Sequence, residues 1–183
     1  MIVGVGGQGT LLTSRILGSA LIGMGYDVKV SEVHGMSQRG GSVITYVRYG
    51  ERVDSPLVDI AEADVILAFE ELEAYRALPY LKKTGKMLVN TQQMMPMPVI
   101  TGTAQYPEGI VAKLSAEADI IILDALALAK QAGNAKCANV VLIGLLARHM
   151  DIPEERWLDA VRANVPAKLL DVNLKAFGLG YRA

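Results

Sequence analysis

The 183-residue chain has one cysteine, Cys137, two histidines, His34 and His149, and few aromatic residues. Each shortage excludes something. A protein-bound iron–sulfur cluster takes about four thiolates, and a structural zinc ion takes about four Cys or His ligands. Cys137 with His34 and His149 cannot supply either set. A single cysteine also forms no disulfide within the chain, which suits a reducing cytoplasmic setting. Aromatics at 5% provide no base-stacking platform, and a formal net charge of −1 provides no attraction to nucleic acid or to an anionic membrane. The apolar run from Val140 to Leu146 is too short to span a bilayer, and the start Met1-Ile2-Val3-Gly4 lacks the basic and apolar regions of a secretion signal.

What remains is the composition of a globular protein, 51% hydrophobic and 20% charged, of a length that suits one domain over residues 1–183. The apolar run Ile2–Val5 breaks into Gly6-Gly7-Gln8-Gly9. Leu11, Leu12, Ile16, Leu17, Leu21 and Ile22 then recur at helical spacing up to a stop at Gly25, and Val28–Val30 reads as a second strand. This order predicts a βαβ opening. Residues 42–49 alternate β-formers and predict a strand that pairs antiparallel, which makes the sheet mixed. Further strands are expected at 64–69, 86–90 and 120–123, with a short one at 99–101. Helices are expected near 70–78 and 109–116, and then in succession from Ala125 to Phe177. The fold class is therefore α/β: a Rossmann-like, open, mostly parallel sheet with helices on both faces and a helical C-terminal segment.

Two segments carry the chemistry. Gly4, Gly6 and Gly9 satisfy G-x-G-x-x-G, and the helix that follows directs free N–H groups and the positive end of its dipole at the turn. Glu32, on the second strand, stands near where an acid would hold a ribose hydroxyl. Gln8 either hydrogen-bonds a ligand or partner, or staples its own loop. The second segment, Ser31–Ser42, concentrates Glu32, His34, Ser37, Gln38, Arg39, Gly40, Gly41 and Ser42 at the end of a strand, the edge where open α/β sheets bind ligands. Arg39 suits a carboxylate or phosphate, or else an internal ion pair with Glu32 or Asp54. His34 is the other candidate for chemistry, as an acid or base or as a plain hydrogen-bonding residue. Glu70-Glu71 either lines the same edge or forms the negative first turn of a helix. Met94, Met95 and Met97 beside Pro96 and Pro98 form an adaptable apolar contact surface or fill the core. Cys137, near a helix start, is expected to be slightly acidified.

Gly4-Val5-Gly6-Gly7-Gln8-Gly9 and Ser31–Ser42, in that order and spacing, resemble the γ subunit or γ domain of 2-oxoacid:ferredoxin oxidoreductases. The His-Gly-Met-Ser-Gln-Arg-Gly-Gly form at 34–41 favours the indolepyruvate branch. The resemblance implies a subunit of an enzyme that oxidatively decarboxylates a 2-oxoacid and passes electrons to ferredoxin. It places thiamine diphosphate, Mg2+ and 4Fe-4S clusters on larger catalytic partner subunits, with no cofactor on this chain alone and CoA a candidate co-substrate. Gly6, Gly7, Gln8, Gly9, Glu32 and residues 37–42 are then the residues expected to contact the partner or cofactor. A chain left without its partner would self-associate through the bared surface. Two rival readings stay open: an autonomous dinucleotide-binding module or NAD-dependent oxidoreductase, and a non-catalytic assembly scaffold.

Overall fold

A computed structural model describes residues 1–35 and 40–183. The elements run β1 (Ile2–Val5), α1 (Thr10–Gly23), β2 (Asp27–His34), β3 (Ser42–Gly50), β4 (Ala63–Ala68), α2 (Glu71–Ala77), β5 (Leu81–Asn90), a single turn α3 (Met97–Ile100), α4 (Ile110–Glu117), β6 (Asp119–Leu123), α5 (Ala125–Ala132), α6 (Ala138–Arg148), α7 (Glu154–Asn164) and α8 (Leu170–Tyr181). The six strands form one sheet in the order β2-β3-β1-β4-β5-β6. β1, β4, β5 and β6 are parallel, and β3 is antiparallel to both β1 and β2. The sheet is thus mixed, as the alternation in residues 42–49 predicts.

The βαβ opening is present with one correction. β2 does not lie beside β1, because β3 inserts between them. Local periodicity sets the element type but not the pairing partner. The hairpin β2–β3 keeps its own long antiparallel ladder from Asp27↔Gly50 to His34↔Val43, and offers β3 to β1. The expected strand at 99–101 is replaced by the end of the turn α3, where prolines at the start of a helix outweigh the β-preference of Val99 and Ile100. β5 begins at Leu81, earlier than the apolar run alone indicates.

Two cores flank the sheet. One face packs Ile2, Leu67 and Leu88 against α1, α5, α6, α7 and α8; the other packs Val3, Ile66, Met87 and Val89 against α2 and α4. The alternation of Ile2 with Val3, and of Leu67 with Ile66, is the period-two signature of a sheet buried on both sides. The apolar run at 140–146 is the buried centre of α6. Among the described residues no helix is long and apolar enough to cross a membrane. Gly133 ends α5 at φ 117°, as the Gly-Asn pair predicts. Cys137 corrects its expectation: it is buried, and burial pushes its thiol pKa up rather than down.

α6 and α8 cross in backbone contact. A Cβ on Gly144 would lie 2.1 Å from the Phe177 carbonyl oxygen, and one on Gly180 would lie 1.9 Å from that of Val141. Alanine at either position gains roughly 1 kcal/mol of helix propensity, yet forces the helices apart. Gly144→Ala and Gly180→Ala are each expected to destabilise the chain by about 1–3 kcal/mol net, read from urea unfolding midpoints.

His149, half-buried after the C-terminus of α6, has its pKa held below the ordinary histidine value by burial first, then by Lys86 and Arg148, against a weaker pull from Asp119. The unfolded chain therefore takes up this proton at a higher pH than the folded chain. The stability linked to neutral His149 is full above about pH 6.5 and is lost as pH falls toward the folded value. Between about pH 7.5 and 5 the urea midpoint of the wild type should fall further than that of His149→Gln. Parallel pH profiles would exclude the linkage.

Candidate functional site at the carboxyl rim of the sheet

The parallel strands β1, β4, β5 and β6 end at one rim, and the antiparallel β3 begins there. The ladder between β1 and β3 reaches Val5↔Ser42 and continues into the loops: the Gly6 N–H donates to the Gly41 carbonyl at 2.8 Å, and the Gly40 N–H donates to that of Gly6 at 3.3 Å. The two glycine-rich segments are thus paired backbone to backbone. Gly40 takes φ 75°, a conformation that residues with a side chain rarely adopt.

Gln8 staples its own loop. Its Oε1 accepts the Val5 N–H at 2.7 Å, and its Nε2 donates to the Phe69 carbonyl at 3.1 Å and to Gln92 Oε1 at 3.2 Å. A Cβ on Gly4 would meet Gln8 Oε1 and Phe69 Cβ, both at 2.9 Å, so the first glycine makes room for the staple. Gly9 takes φ 88° as the N-cap of α1. A Cβ there would lie 2.7 Å from Nδ2 of Asn139, which sets the start of α6 against the start of α1.

The structure does not bring every candidate to this point. Glu32 faces Thr45, which in turn faces Ile2, so Glu32 stands level with the beginning of β1. That is two strand spacings, about 10 Å, to the side and roughly another 10 Å below the glycine turn. Its carboxylate accepts the Thr45 hydroxyl at 3.2 Å. A ribose-binding acid would belong beside the turn. His34 ends β2 at the rim, exposed, with Nδ1 3.0 Å from the Gly35 carbonyl oxygen. Ser37, Gln38 and Arg39 lie outside the described residues. Asp54, one internal partner considered for Arg39, pairs with Arg52 at 3.2 Å.

Asn90, Glu73, Arg76 and Tyr106, which the sequence did not single out, complete the rim with Ser42 and Glu70. Asn90, at the end of β5, donates to the Phe69 carbonyl at 2.9 Å and accepts the Ala125 N–H at 3.0 Å, joining β4, β5 and α5. The Ser42 hydroxyl donates to Glu73 Oε2 at 2.5 Å, and Arg76 holds the other oxygen at 2.6 Å. Glu70 and Glu71 begin α2, as the acidic-first-turn reading expects, and Glu70, Glu71 and Glu73 are all buried. Glu70 caps α2 by accepting the Glu73 N–H at 2.9 Å. It also accepts the Met94 N–H at 3.1 Å and the Tyr106 hydroxyl at 2.5 Å. Burial, followed by that bond to Glu70, raises the Tyr106 pKa well above its ordinary value. The E-x-x-E spacing of Glu70 and Glu73 was the one legible sign of a cap. Among the described residues no group of three or more His, Cys, Asp or Glu side chains is placed to hold a metal ion.

The chain has relatives among known proteins. The model of the pyruvate ferredoxin/flavodoxin oxidoreductase family matches residues 1–183. The chain belongs to that family. Within it, the chain is a subunit of a 2-oxoacid:ferredoxin oxidoreductase. It is 47% identical over 189 residues to the indolepyruvate oxidoreductase subunit IorB of Thermococcus kodakarensis, covering 100% of this chain and 94% of that one. The γ subunit of a keto/oxoacid ferredoxin oxidoreductase from Geobacter sulfurreducens shares the fold, with a TM-score of 0.73 at 23% identity over 99% of this chain and 94% of that one. The 2-oxoglutarate:ferredoxin oxidoreductase of Magnetococcus marinus, solved with 2-oxoglutarate, coenzyme A and succinyl-CoA bound, matches with a TM-score of 0.73 at 18% identity, over 99% of this chain but 30% of that one.

Replacing Gln8 by Ala strands the Val5 N–H and removes the link to Gln92. A cost of about 1–3 kcal/mol in unfolding free energy is expected, together with faster amide exchange at Val5. Unchanged exchange at Val5 would mean that the loop holds its shape without the staple.

Proposed function

We propose that this chain is the accessory, non-catalytic subunit of an indolepyruvate-type 2-oxoacid:ferredoxin oxidoreductase, and that its paired glycine loops form the rim that docks on the larger catalytic subunit. The observation that carries this reading is the reciprocal bonding of Gly6 with Gly40 and Gly41. It joins the two loops so that they are presented together to another chain. Gln8, the loop's most versatile group, already serves Val5, Phe69 and Gln92.

Thiamine diphosphate, Mg2+ and 4Fe-4S clusters belong on the partner, where they supply decarboxylation and electron transfer to ferredoxin. With one cysteine in 183 residues, this chain lacks the ligands for such a cluster. The indolepyruvate assignment rests on the 47% identity to a subunit of that name, over nearly the full length of both chains. In the Magnetococcus marinus enzyme the equivalent fold makes up 30% of a longer chain, which supports a place for this domain against a larger body. The roles of Ser37, Gln38, Arg39 and Ser42 in that contact, with a CoA phosphate or a partner carboxylate as the group met by Arg39, form part of the same proposal. The nicotinamide alternative is disfavoured by Glu32, which stands at the wrong level of the sheet to reach a ribose at the turn.

The purified chain should reduce no viologen with indolepyruvate or other 2-oxoacids, and mixing or co-expression with the large subunit should give 2-oxoacid-dependent reduction. Turnover by the chain alone would overturn the assignment. Tight binding of NAD or NADP in calorimetry would favour the dinucleotide reading.

A further inference from the structure

No charged residue stands between Lys86 and Glu108. In that interval β5 delivers the chain to the rim at Asn90, and residues 94–106 leave the sheet and return to it. Both ends of this excursion are fastened to Glu70, which accepts the Met94 N–H at one end and the Tyr106 hydroxyl at the other. Between the two anchors the apolar side chains face outward: Met95 is 46% exposed, Met97 64% and Ile100 65%. Thr101 and Thr103 close the turn after α3 by bonding back to the carbonyls of Met97 and Pro98. The loop is therefore held in shape by its own polar groups while it presents methionine and isoleucine to the outside. A protein in need only of a connection between β5 and α4 has no cause to expose these side chains so fully.

We infer that residues 94–106 form the apolar half of the docking surface for the catalytic large subunit, set in place by Glu70. The inference rests on the proposed function and names the element that recognises the partner. Two observations choose the occupant. First, the loop is stitched to the glycine rim, since Gln92 bonds Gln8, and Gln92 and Gln93 bond the backbone and side chain of Glu71. Loop and rim thus form one continuous surface. Second, thirteen residues are too few for a stable interface, which takes roughly 20–30 residues a side. The loop must act together with the rim, and the rim is what faces the large subunit. An uncharged, methionine-rich surface fits an apolar partner patch and adapts to its shape, whereas it offers nothing to a polyanion.

The test is binding of the full chain to the purified thiamine-dependent large subunit, followed by interferometry. The paired variant Met97→Asp with Ile100→Asp should melt like the wild type, because both side chains are about two-thirds exposed. It should bind the large subunit at least ~30-fold more weakly, the loss that corresponds to about 2 kcal/mol at an interface hot spot. Met97→Ala with Ile100→Ala should lose affinity in the same direction but less. Ile22→Asp, at a residue 64% exposed near the end of α1 away from the rim, should bind as the wild type does. Undiminished binding by the aspartate pair, equal loss in Ile22→Asp, or loss of self-association with large-subunit binding intact would each overturn this inference and leave the proposed function standing. Failure of the wild-type chain to bind the large subunit would remove both.

Discussion

The carbonyl of Phe69 is where the rim is tied together. It accepts from Gln8 on the first glycine loop and from Asn90 at the end of β5, while the Phe69 N–H reaches back to the Val3 carbonyl in β1. One residue beyond the end of β4 thus ties together β1, β5 and the first glycine loop. Buried polar groups are costly unless paired, so once the strands are packed these bonds have few alternatives. The next residue, Glu70, continues the pattern with a buried carboxylate that caps α2 and holds both ends of the 94–106 loop. Shape at the rim is therefore maintained by residues that face inward, and the outward surface is left free for contact.

That division separates this fold from a dinucleotide-binding domain built on the same glycine pattern. In both, a glycine turn joins a strand to a helix. Here β3 occupies the place beside β1 that β2 would fill in such a domain, and it carries the second glycine loop into contact with the first. The insertion displaces Glu32 to the side, and the register sets it level with Ile2 rather than with the turn. The same glycine spacing then yields two loops bonded backbone to backbone.

Much of this was legible in the chain itself. The apolar run into Gly6–Gly9, the alternation in residues 42–49 and the stop at Gly133 are local signals that the structure meets at nearly the expected positions. The order of strands was not legible, because the choice of β3 over β2 as neighbour of β1 depends on which edges remain open after the hairpin closes. The turn at Met97 was misread because Val99, Ile100 and Thr101 carry strand preference, while prolines before and within the turn favour a helical start. Glu70 was legible as a helix-start acid but its burial was not, since Tyr106, which bonds it, lies 36 residues further on. Cys137 was misjudged in the same way: a nearby helix start suggests a lowered thiol pKa, but the packing of α5, α6 and α8 around it prevails.

The polar residues at the rim fall into two groups by what they satisfy. Gln8, Asn90, Glu70 and Glu73 spend their hydrogen-bonding capacity on backbone groups and on neighbours within this chain. Among the described residues, the exposed groups at this edge include His34 and the apolar side chains beyond Met94. An apolar surface of that kind gains by excluding water against a complementary one.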